Sequence, residues 1–230
     1  MKKGILYGVS VGPGDPELIT VKAVRIIKET RIIAAPMTKG EKTLALDIAK
    51  GAVNFDGKTI LPISFSMTKD KEELQRVHQK IADTIMEYLE KGENVAMLNL
   101  GDVSIYSTFS YIQAIVVASG FESEMIAGVP SFCAVAASLN LSLTTMEESL
   151  HIIPTVHSKV EDYISLKGTK VLMKTASSFN EVKADLIRLN VANKATMIQN
   201  CGLTDQKICR DLSQNADDNI SYFTTIIVKD

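Results

Sequence analysis

The residues Tyr7-Gly8-Val9-Ser10-Val11-Gly12-Pro13-Gly14-Asp15-Pro16-Glu17-Leu18-Ile19-Thr20 constrain this chain more than any other stretch. An apolar strand runs into a glycine-rich turn and from there into a helix start. Gly8, Gly12 and Gly14 let backbone approach a ligand closely or adopt positive φ without a Cβ clash. Asp15 reads as an N-cap and Pro16 as the first helical residue, where a missing N–H costs nothing; Glu17 is favourable near the positive end of the helix. Strand, loop and helix N-terminus in this order point to an α/β fold. Two nucleotide-binding motifs nevertheless fail. The dinucleotide fingerprint needs G-x-G-x-x-G and an acid about 20 residues on; here the spacing is G-x-x-x-G-P-G, and the expected second strand, Arg31 to Pro36, holds no acid. No Gly-Lys-Ser/Thr follows, so a Walker loop is excluded as well.

Composition narrows the function classes. The 230 residues are ample for one large domain or two small ones, and 46% apolar with 23% charged residues is ordinary for a globular chain. A net charge of −2 without a basic run argues against nucleic acid, while leaving room for a local basic pocket and a small anionic ligand. Cys133, Cys201 and Cys209 form no paired framework and no zinc spacing, so a reducing cytoplasm is the expected compartment and no metal site is expected. Met1-Lys2-Lys3-Gly4 leads straight into a strand without a signal-peptide apolar region. No apolar run approaches the roughly 18 residues of a membrane span.

In chain order, Leu18, Val21, Val24 and Ile27 recur every three residues and predict one side of a helix. Ile32 to Ala35 reads as a buried strand, Thr43 to Ala52 as a helix and Thr59 to Leu61 as a strand. Leu74, Val77, Ile81, Ile85 and Tyr88 predict a long amphipathic helix from about Asp70 to Lys91, closed by Gly92. Val95 to Leu100 is apolar enough for a central parallel strand covered on both faces. It delivers a second glycine-acid turn, Gly101-Asp102-Val103-Ser104-Ile105-Tyr106-Ser107-Thr108, ahead of a helix from about Phe109 to Ser119. In open α/β sheets, that carboxyl edge is where ligands bind. Glu122 to Ile126 predicts a strand, and Cys133 to Ala137 a tightly packed helix. Beyond it, strands are expected at Ile152 to Thr155, Lys170 to Lys174 and Ala195 to Gln199, with helices at Lys159 to Leu166 and Asn180 to Asn190. Lys207 to Leu212 and Tyr222 to Val228 predict an antiparallel hairpin. Two α/β domains follow, residues 1–118 with a mainly parallel sheet and 119–230 with a mixed sheet, the active-site cleft lying between them.

Among candidate side chains, Asp102 stands out. As a carboxylate in a glycine turn it either accepts hydrogen bonds from ribose hydroxyls or an amino group, or caps its own helix. For Asp15 capping is favoured. Cys133 reads as a small packed hydrophobe, since no G-x-S-x-G elbow accompanies it or Ser131. His78 falls on a solvated helix face. His157 sits in a loop after a strand, as a polar loop residue or a substrate contact. Lys39, Lys42, Lys69, Lys71 and Arg76 cluster loosely, with two or three available for ligand carboxylates.

Gly-Val-Ser-Val-Gly-Pro-Gly-Asp-Pro-Glu-Leu-Ile-Thr, then Leu-Gly-Asp-Val-Ser-Ile-Tyr-Ser-Thr, then Gly-Val-Pro-Ser-Phe together resemble the class III, tetrapyrrole-type methyltransferases. The resemblance covers essentially the whole chain, including the strand around Met173 and the Gln199-Asn200-Cys201-Gly202 turn. Within that family, Phe65-Ser66-Met67-Thr68-Lys69-Asp70 and Tyr106-Ser107-Thr108-Phe109-Ser110-Tyr111 are similar to the precorrin-2 and cobalt-factor II C(20)-methyltransferases of cobalamin biosynthesis. The resemblance implies S-adenosyl-L-methionine as cofactor and S-adenosyl-L-homocysteine as product. The cofactor is implied to be folded between the two domains against Pro13, Leu100, Gly101, Asp102, Ile105, Ser131, Phe132, Met173 and Gly202. It further implies a tetrapyrrole substrate and a cytoplasmic homodimer. Many members carry Pro after the Gly-Asp pair, where this chain has Val103; the carboxylate is kept.

The implied reaction moves a methyl group to the C(20) meso carbon of precorrin-2 or its cobalt form. Such a transfer needs alignment and exclusion of water rather than a covalent enzyme intermediate. That agrees with the lack of a nucleophile or metal cluster. Tyr106 and His157 are the candidates for handling the proton of the methylated carbon. The rivals are methylation at another corrinoid position, a nicotinamide oxidoreductase, and a cofactor-binding module without activity.

Overall fold

The computed structural model describes residues 2–37, 43–66, 68, 70–156, 159–214 and 219–230. They form two units, Met1–Pro130 and Ser131–Asp230.

In the first unit the chain runs β1 (Ile5–Ser10), α1 (Val21–Glu29), β2 (Ile32–Met37), α2 (Leu44–Lys50), β3 (Thr59–Ser64), α3 (Lys71–Glu90), β4 (Val95–Asn99), α4 (Phe109–Ala118) and β5 (Glu122–Ile126). The five strands form one sheet in the order β3-β2-β4-β1-β5, with every strand pair parallel. All five residues of β4 are buried, as a strand covered on both faces requires. Ala96 and Leu98 pack with Val9, Ile33 and the helices α1 and α2 on one face. Val95 and Met97 pack with Leu6, Ile32 and the helices α3 and α4 on the other. The side-chain period of two thus divides one strand between two cores. β1 and β4 are neighbours whose outgoing chains enter helices on opposite faces, so a crevice opens beyond their carboxyl ends.

Gly8 faces the α4 side of β1, and the fully buried ring of Phe109 fills the space a side chain would take. A Cβ at Gly8 would lie 2.5 Å from Phe109 Cε1. Gly8→Ala is therefore expected to cost about 1–3 kcal/mol by overpacking, read by urea denaturation. Shortening the ring in Gly8→Ala/Phe109→Leu should restore part of it, and an additive double variant would disprove the contact.

The predicted start of α1 is corrected. Asp15 does cap, its Oδ1 accepting from Glu17 N at 2.9 Å, but it caps a 3-10 turn at Pro16–Leu18. α1 has its own cap, Thr20, whose Oγ1 accepts from Ala23 N. The buried face is Ala23, Ile26 and Ile27, whereas Val21 is 87% exposed. A strict spacing of three lags the 3.6-residue turn, so that series walks off the buried face. The expected boundary at 118 also moves. β5 pairs with β1 from Ile5↔Glu122 to Val9↔Ile126, and the first unit extends to Pro130.

The second unit contains α5 (Ser131–Ser138), β6 (Leu150–Pro154), α6 (Glu161–Ile164), β7 (Thr169–Met173), α7 (Phe179–Arg188), β8 (Ala195–Gln199), β9 (Lys207–Cys209) and β10 (Thr224–Val228). Its sheet is mixed, in the order β6-β7-β10-β8-β9, with β6 and β7 parallel and the other pairs antiparallel. Leu172, Met197, Ile226 and Val228 pack with Phe179, Val182 and Leu186 of α7, and α5 lies against β10. The expected β9–β10 hairpin does not form. β10 is buried at every position and inserts between β7 and β8, while β9, with Lys207 and Ile208 exposed, takes the edge beside β8. A β-branched strand such as Thr-Thr-Ile-Ile-Val gains most in the middle of a sheet, and a charged short one suits its rim.

Candidate active site

Three strand-end loops of the first unit are joined at the carboxyl edge of its sheet. The register Ser10↔Asn99 brings the ends of β1 and β4 level. Val11 N then donates to Asn99 O at 2.9 Å and Gly101 N to Gly12 O at 2.8 Å, an antiparallel bridge between two loops that have just left parallel strands. Gly12 (φ 75°) and Gly101 (φ 67°) make that reversal possible. Ser10 Oγ accepts from Val103 N at 2.8 Å and so ties β1 to the second loop again.

Asp102 joins the third loop. Its Oδ2 accepts from Gly128 N, beyond β5, at 2.7 Å; its Oδ1 accepts from Ser104 N at 2.9 Å and from the Ser104 hydroxyl. The residue is 8% exposed. Burial alone would push the carboxyl pKa up, but the Gly128 and Ser104 donors outweigh it and hold the group below its ordinary value. Asp102 does not cap α4, whose first residue, Phe109, donates its N–H to Ser107 Oγ; its carboxylate crosslinks two strand-end loops. Gly128 is tightly fitted as well, because a Cβ there would collide with Ser10 Cβ and lie 2.9 Å from Gly101 O.

Between Asp102 and α4 the loop is pinned at both ends. Ile105 N donates to Asp102 O at 3.2 Å. Ser107 Oγ donates to Asn99 Oδ1 at 2.8 Å and accepts from Phe109 N at 3.1 Å, while Asn99 Nδ2 is itself held by Met97 O. Tyr106, at the apex, has φ 50° and is 42% exposed. A left-handed conformation costs an ordinary L-residue about 1–2 kcal/mol.

In the second unit, Met173 ends β7 and is followed by Lys174 at φ 58°, whose amine burial makes less basic. Asn200 (φ 53°) and Gly202 (φ 79°) turn the chain after β8. That turn is braced: Gly202 N donates to Gln206 Oε1 at 2.9 Å, Asn200 Nδ2 to Asp205 Oδ2 at 2.7 Å, Asn200 N to Phe223 O, and Ser221 Oγ to Asn200 Oδ1. Ser131 and Phe132 open α5, where the Phe132 side chain is buried.

The first unit thus brings Pro13, Leu100, Gly101, Asp102 and Ile105 to one sheet edge; Ser131, Phe132, Met173 and Gly202 lie in the second unit. His157, Lys39, Lys42 and Lys69 lie outside the described residues. Two expectations are corrected. Cys133 is exposed on α5, not packed, because Phe132, Ala134, Val135 and Ala136 take the inward positions. His78 is not a solvated side chain: its ring stacks on Tyr111 at 4.9 Å and 9°, with Phe65 edge-on at 6.0 Å, and burial lowers its pKa. Among the described residues no cluster of His, Cys, Asp and Glu is arranged to hold a metal ion, and no helix is long and apolar enough to cross a membrane.

Two α/β units of this topology are the fold of a solved cobalt precorrin-4 methyltransferase, similar at TM-score 0.76 and 18% identity over 98% of this chain and 94% of that one. A uroporphyrin-III C-methyltransferase from Thermus thermophilus complexed with S-adenosyl homocysteine shares the fold at TM-score 0.69, with 18% identity over 98% and 97%. Residues 5–217 match the tetrapyrrole (corrin/porphyrin) methylases, and the chain belongs to that family. It is 35% identical to a probable cobalt-precorrin-2 C(20)-methyltransferase of Methanocaldococcus jannaschii over 97% of this chain and 95% of the relative. It is 31% identical to the cobalt-precorrin-2 C(20)-methyltransferase of Salmonella typhimurium over 98% and 96%.

Proposed function

We propose that this protein transfers a methyl group from S-adenosyl-L-methionine to the C(20) meso carbon of precorrin-2, with the cobalt-containing macrocycle as the favoured substrate, in cobalamin biosynthesis. The observation that carries the reading is similarity along nearly the whole chain to two relatives named for that position and that metallated substrate. The bridged strand ends are what such a reaction needs from a protein.

The residues present suit this cofactor. Pro13, Leu100 and Ile105 are half-buried at the sheet edge, and Gly101 and Gly202 turn the main chain left-handed there and after β8, with no Cβ to keep a ligand off. Ser131 offers a hydroxyl, Phe132 its backbone at the start of α5, and Met173 the end of β7. When bound, the cofactor supplies an electrophilic sulfonium methyl. The chain's own part is positioning. Asp102 holds the Gly101 and Gly128 loops in fixed relation, and Ser10 fixes Val103, so the groups that bind are preorganised before the ligand arrives. In-line displacement from a sulfonium calls for no protein nucleophile, and the exposed Cys133 is given no role. The resemblance also supports a cytoplasmic homodimer without nucleic-acid or membrane partners, in keeping with a net charge of −2 and no basic run.

The test is incubation with methyl-labelled S-adenosylmethionine and cobalt-factor II or precorrin-2, with the label located by carbon NMR. Label at C(20) is the expected result. Label at another ring carbon would overturn the position. Tight binding of NAD without binding of S-adenosylhomocysteine would overturn the class, and cofactor binding with no mass gain in either tetrapyrrole would leave a binding module.

A further inference from the structure

We propose that Tyr111, seated on His78, presents the aromatic surface on which the tetrapyrrole macrocycle stacks. The inference rests on the tetrapyrrole reading above and adds a substrate-contacting surface to it.

The surface follows from the unequal lengths of two neighbouring helices. α3 has 20 residues and α4 has 10, about 30 Å against about 15 Å. Both run from the carboxyl edge of the parallel sheet back to its amino edge, where Gly4 N, just ahead of β1, donates to Leu89 O and fixes the last turn of α3. The surplus length of α3 therefore lies at its N-terminal end, beyond the carboxyl edge. Burial agrees: Ile81, Ala82, Ile85 and Leu89 are buried, and no residue from Lys71 to Lys80 is. The first half of the helix thus stands over the edge that carries the Gly101 and Asp102 loop.

Three rings occupy this overhang. Phe65, just past β3, packs against the core and meets His78 edge-on, and His78 of α3 stacks on Tyr111 of α4. Tyr111 lies where the ligand loop ends, its N–H donating to Thr108 O at 3.3 Å. Phe109, Ile112 and Val116 already seat α4 on the core. The His78 contact fixes the plane of the Tyr111 ring from one side and still leaves that residue 57% exposed. Burial makes the imidazole less basic, which favours a neutral ring behind Tyr111. An aromatic ring held in orientation and open to solvent beside the site suits a flat conjugated ligand, because aromatic groups pair by offset stacking. Lys71 lies seven residues before His78, two turns further out on the same stripe, and adds a cation for the carboxylate side chains of the macrocycle.

The rival is that the three rings only staple α3 to α4, and the two readings separate experimentally. In the full-length chain, Tyr111→Ala, Tyr111→Phe and Met86→Ala are compared by absorbance titration with cobalt-factor II, by calorimetry with S-adenosylhomocysteine, and by melting temperature. Met86 packs against the same core from the second half of α3, so its truncation loosens the helix without altering the overhang. Tyr111→Ala is expected to bind cobalt-factor II about tenfold more weakly, with cofactor affinity unchanged. Tyr111→Phe keeps the ring and should stay within about threefold, since one hydrogen-bonding group is all that it removes. Met86→Ala should melt lower yet bind cobalt-factor II as the unaltered chain does. Undiminished binding by Tyr111→Ala, or an equal loss of S-adenosylhomocysteine affinity, would overturn the contact. A Tyr111→Phe as weak as Tyr111→Ala would overturn stacking through the ring, and a Met86→Ala as weak would show the helix acting through the fold alone. If the unaltered chain binds neither cobalt-factor II nor precorrin-2, the tetrapyrrole reading fails and the Tyr111 role falls with it. Binding by the unaltered chain that Tyr111→Ala leaves intact defeats the Tyr111 role alone.

Discussion

Asp102→Asn is expected to lose about 2–4 kcal/mol of stability and to weaken S-adenosylhomocysteine binding, although the side chain changes by one atom. The carboxylate accepts three hydrogen bonds, from Gly128 N, Ser104 N and Ser104 Oγ. An amide offers only one acceptor atom and turns its NH₂ towards a backbone N–H. One nearly buried donor is then orphaned, at about 1–3 kcal/mol, and charge-assisted bonds worth about 1.5–3 kcal/mol become neutral ones. The loops after β4 and β5 lose their crosslink, so the binding groups are no longer preorganised. The pH dependence has a fixed sign. The folded-state pKa of Asp102 lies below its unfolded value despite burial, because the Gly128 and Ser104 donors favour the ionised form. Its contribution is therefore complete above the unfolded carboxylate pKa of about 4 and is lost as pH falls through the folded value. Urea denaturation from pH 7 to pH 3 should show a shallower acid limb in Asp102→Asn than in the unaltered chain. A loss under about 1 kcal/mol, with cofactor affinity intact, would mean that the crosslink does not organise the site.

Asp102 also marks how far this site is legible in sequence. Its residue type, the glycine before it and its place after a buried strand singled it out, but its partner Gly128 lies 26 residues on. Only the pairing of β5 with β1 brings that N–H within reach. The same pairing carries the first unit to Pro130, past a helix end at 118 that reads locally like a boundary. Of the glycines read as open to positive φ or close approach, Gly12 adopts positive φ (75°) and Gly8 admits the close approach, to the Phe109 ring; the positive φ of Gly101 and Gly202 was not read. At Tyr106 and Lys174 nothing in the residue type announces it, since their conformation is imposed by bonds made on either side. Strand existence followed from apolar runs, and β8 spans the expected residues, Ala195–Gln199. Strand order is a different problem: β10 is apolar enough to sit anywhere buried, and competition among strands for the sheet centre placed it between β7 and β8.

The second large effect is expected at the rim of the second sheet, where the two partners of one ion pair should differ sharply in cost. The Lys170 side chain on β7 is 2% exposed and its ammonium donates to Asp230, whose carboxylate is 54% exposed and also accepts from Gly168 N at 2.6 Å. Asp230→Ala leaves a buried ammonium without its counter-ion. Removing one member of a fully buried pair costs about 3–5 kcal/mol; because water already reaches the Asp230 side, about 2 kcal/mol is expected. Lys170→Met instead leaves a carboxylate in water and replaces buried methylenes with similar apolar volume, so a loss under about 1 kcal/mol is expected. The Lys170 hydrogen bond, and after it the Gly168 N–H, hold the Asp230 pKa below its unfolded value. The pair's contribution is therefore present above about pH 4 and lost as pH falls through the folded pKa. Lys170→Met should flatten that acid limb while leaving stability at pH 7 nearly unchanged, as measured by urea denaturation at each pH. If Lys170→Met proves as costly at pH 7 as Asp230→Ala, the buried ammonium is a net stabiliser in its own right, and the asymmetry argued from its burial is wrong.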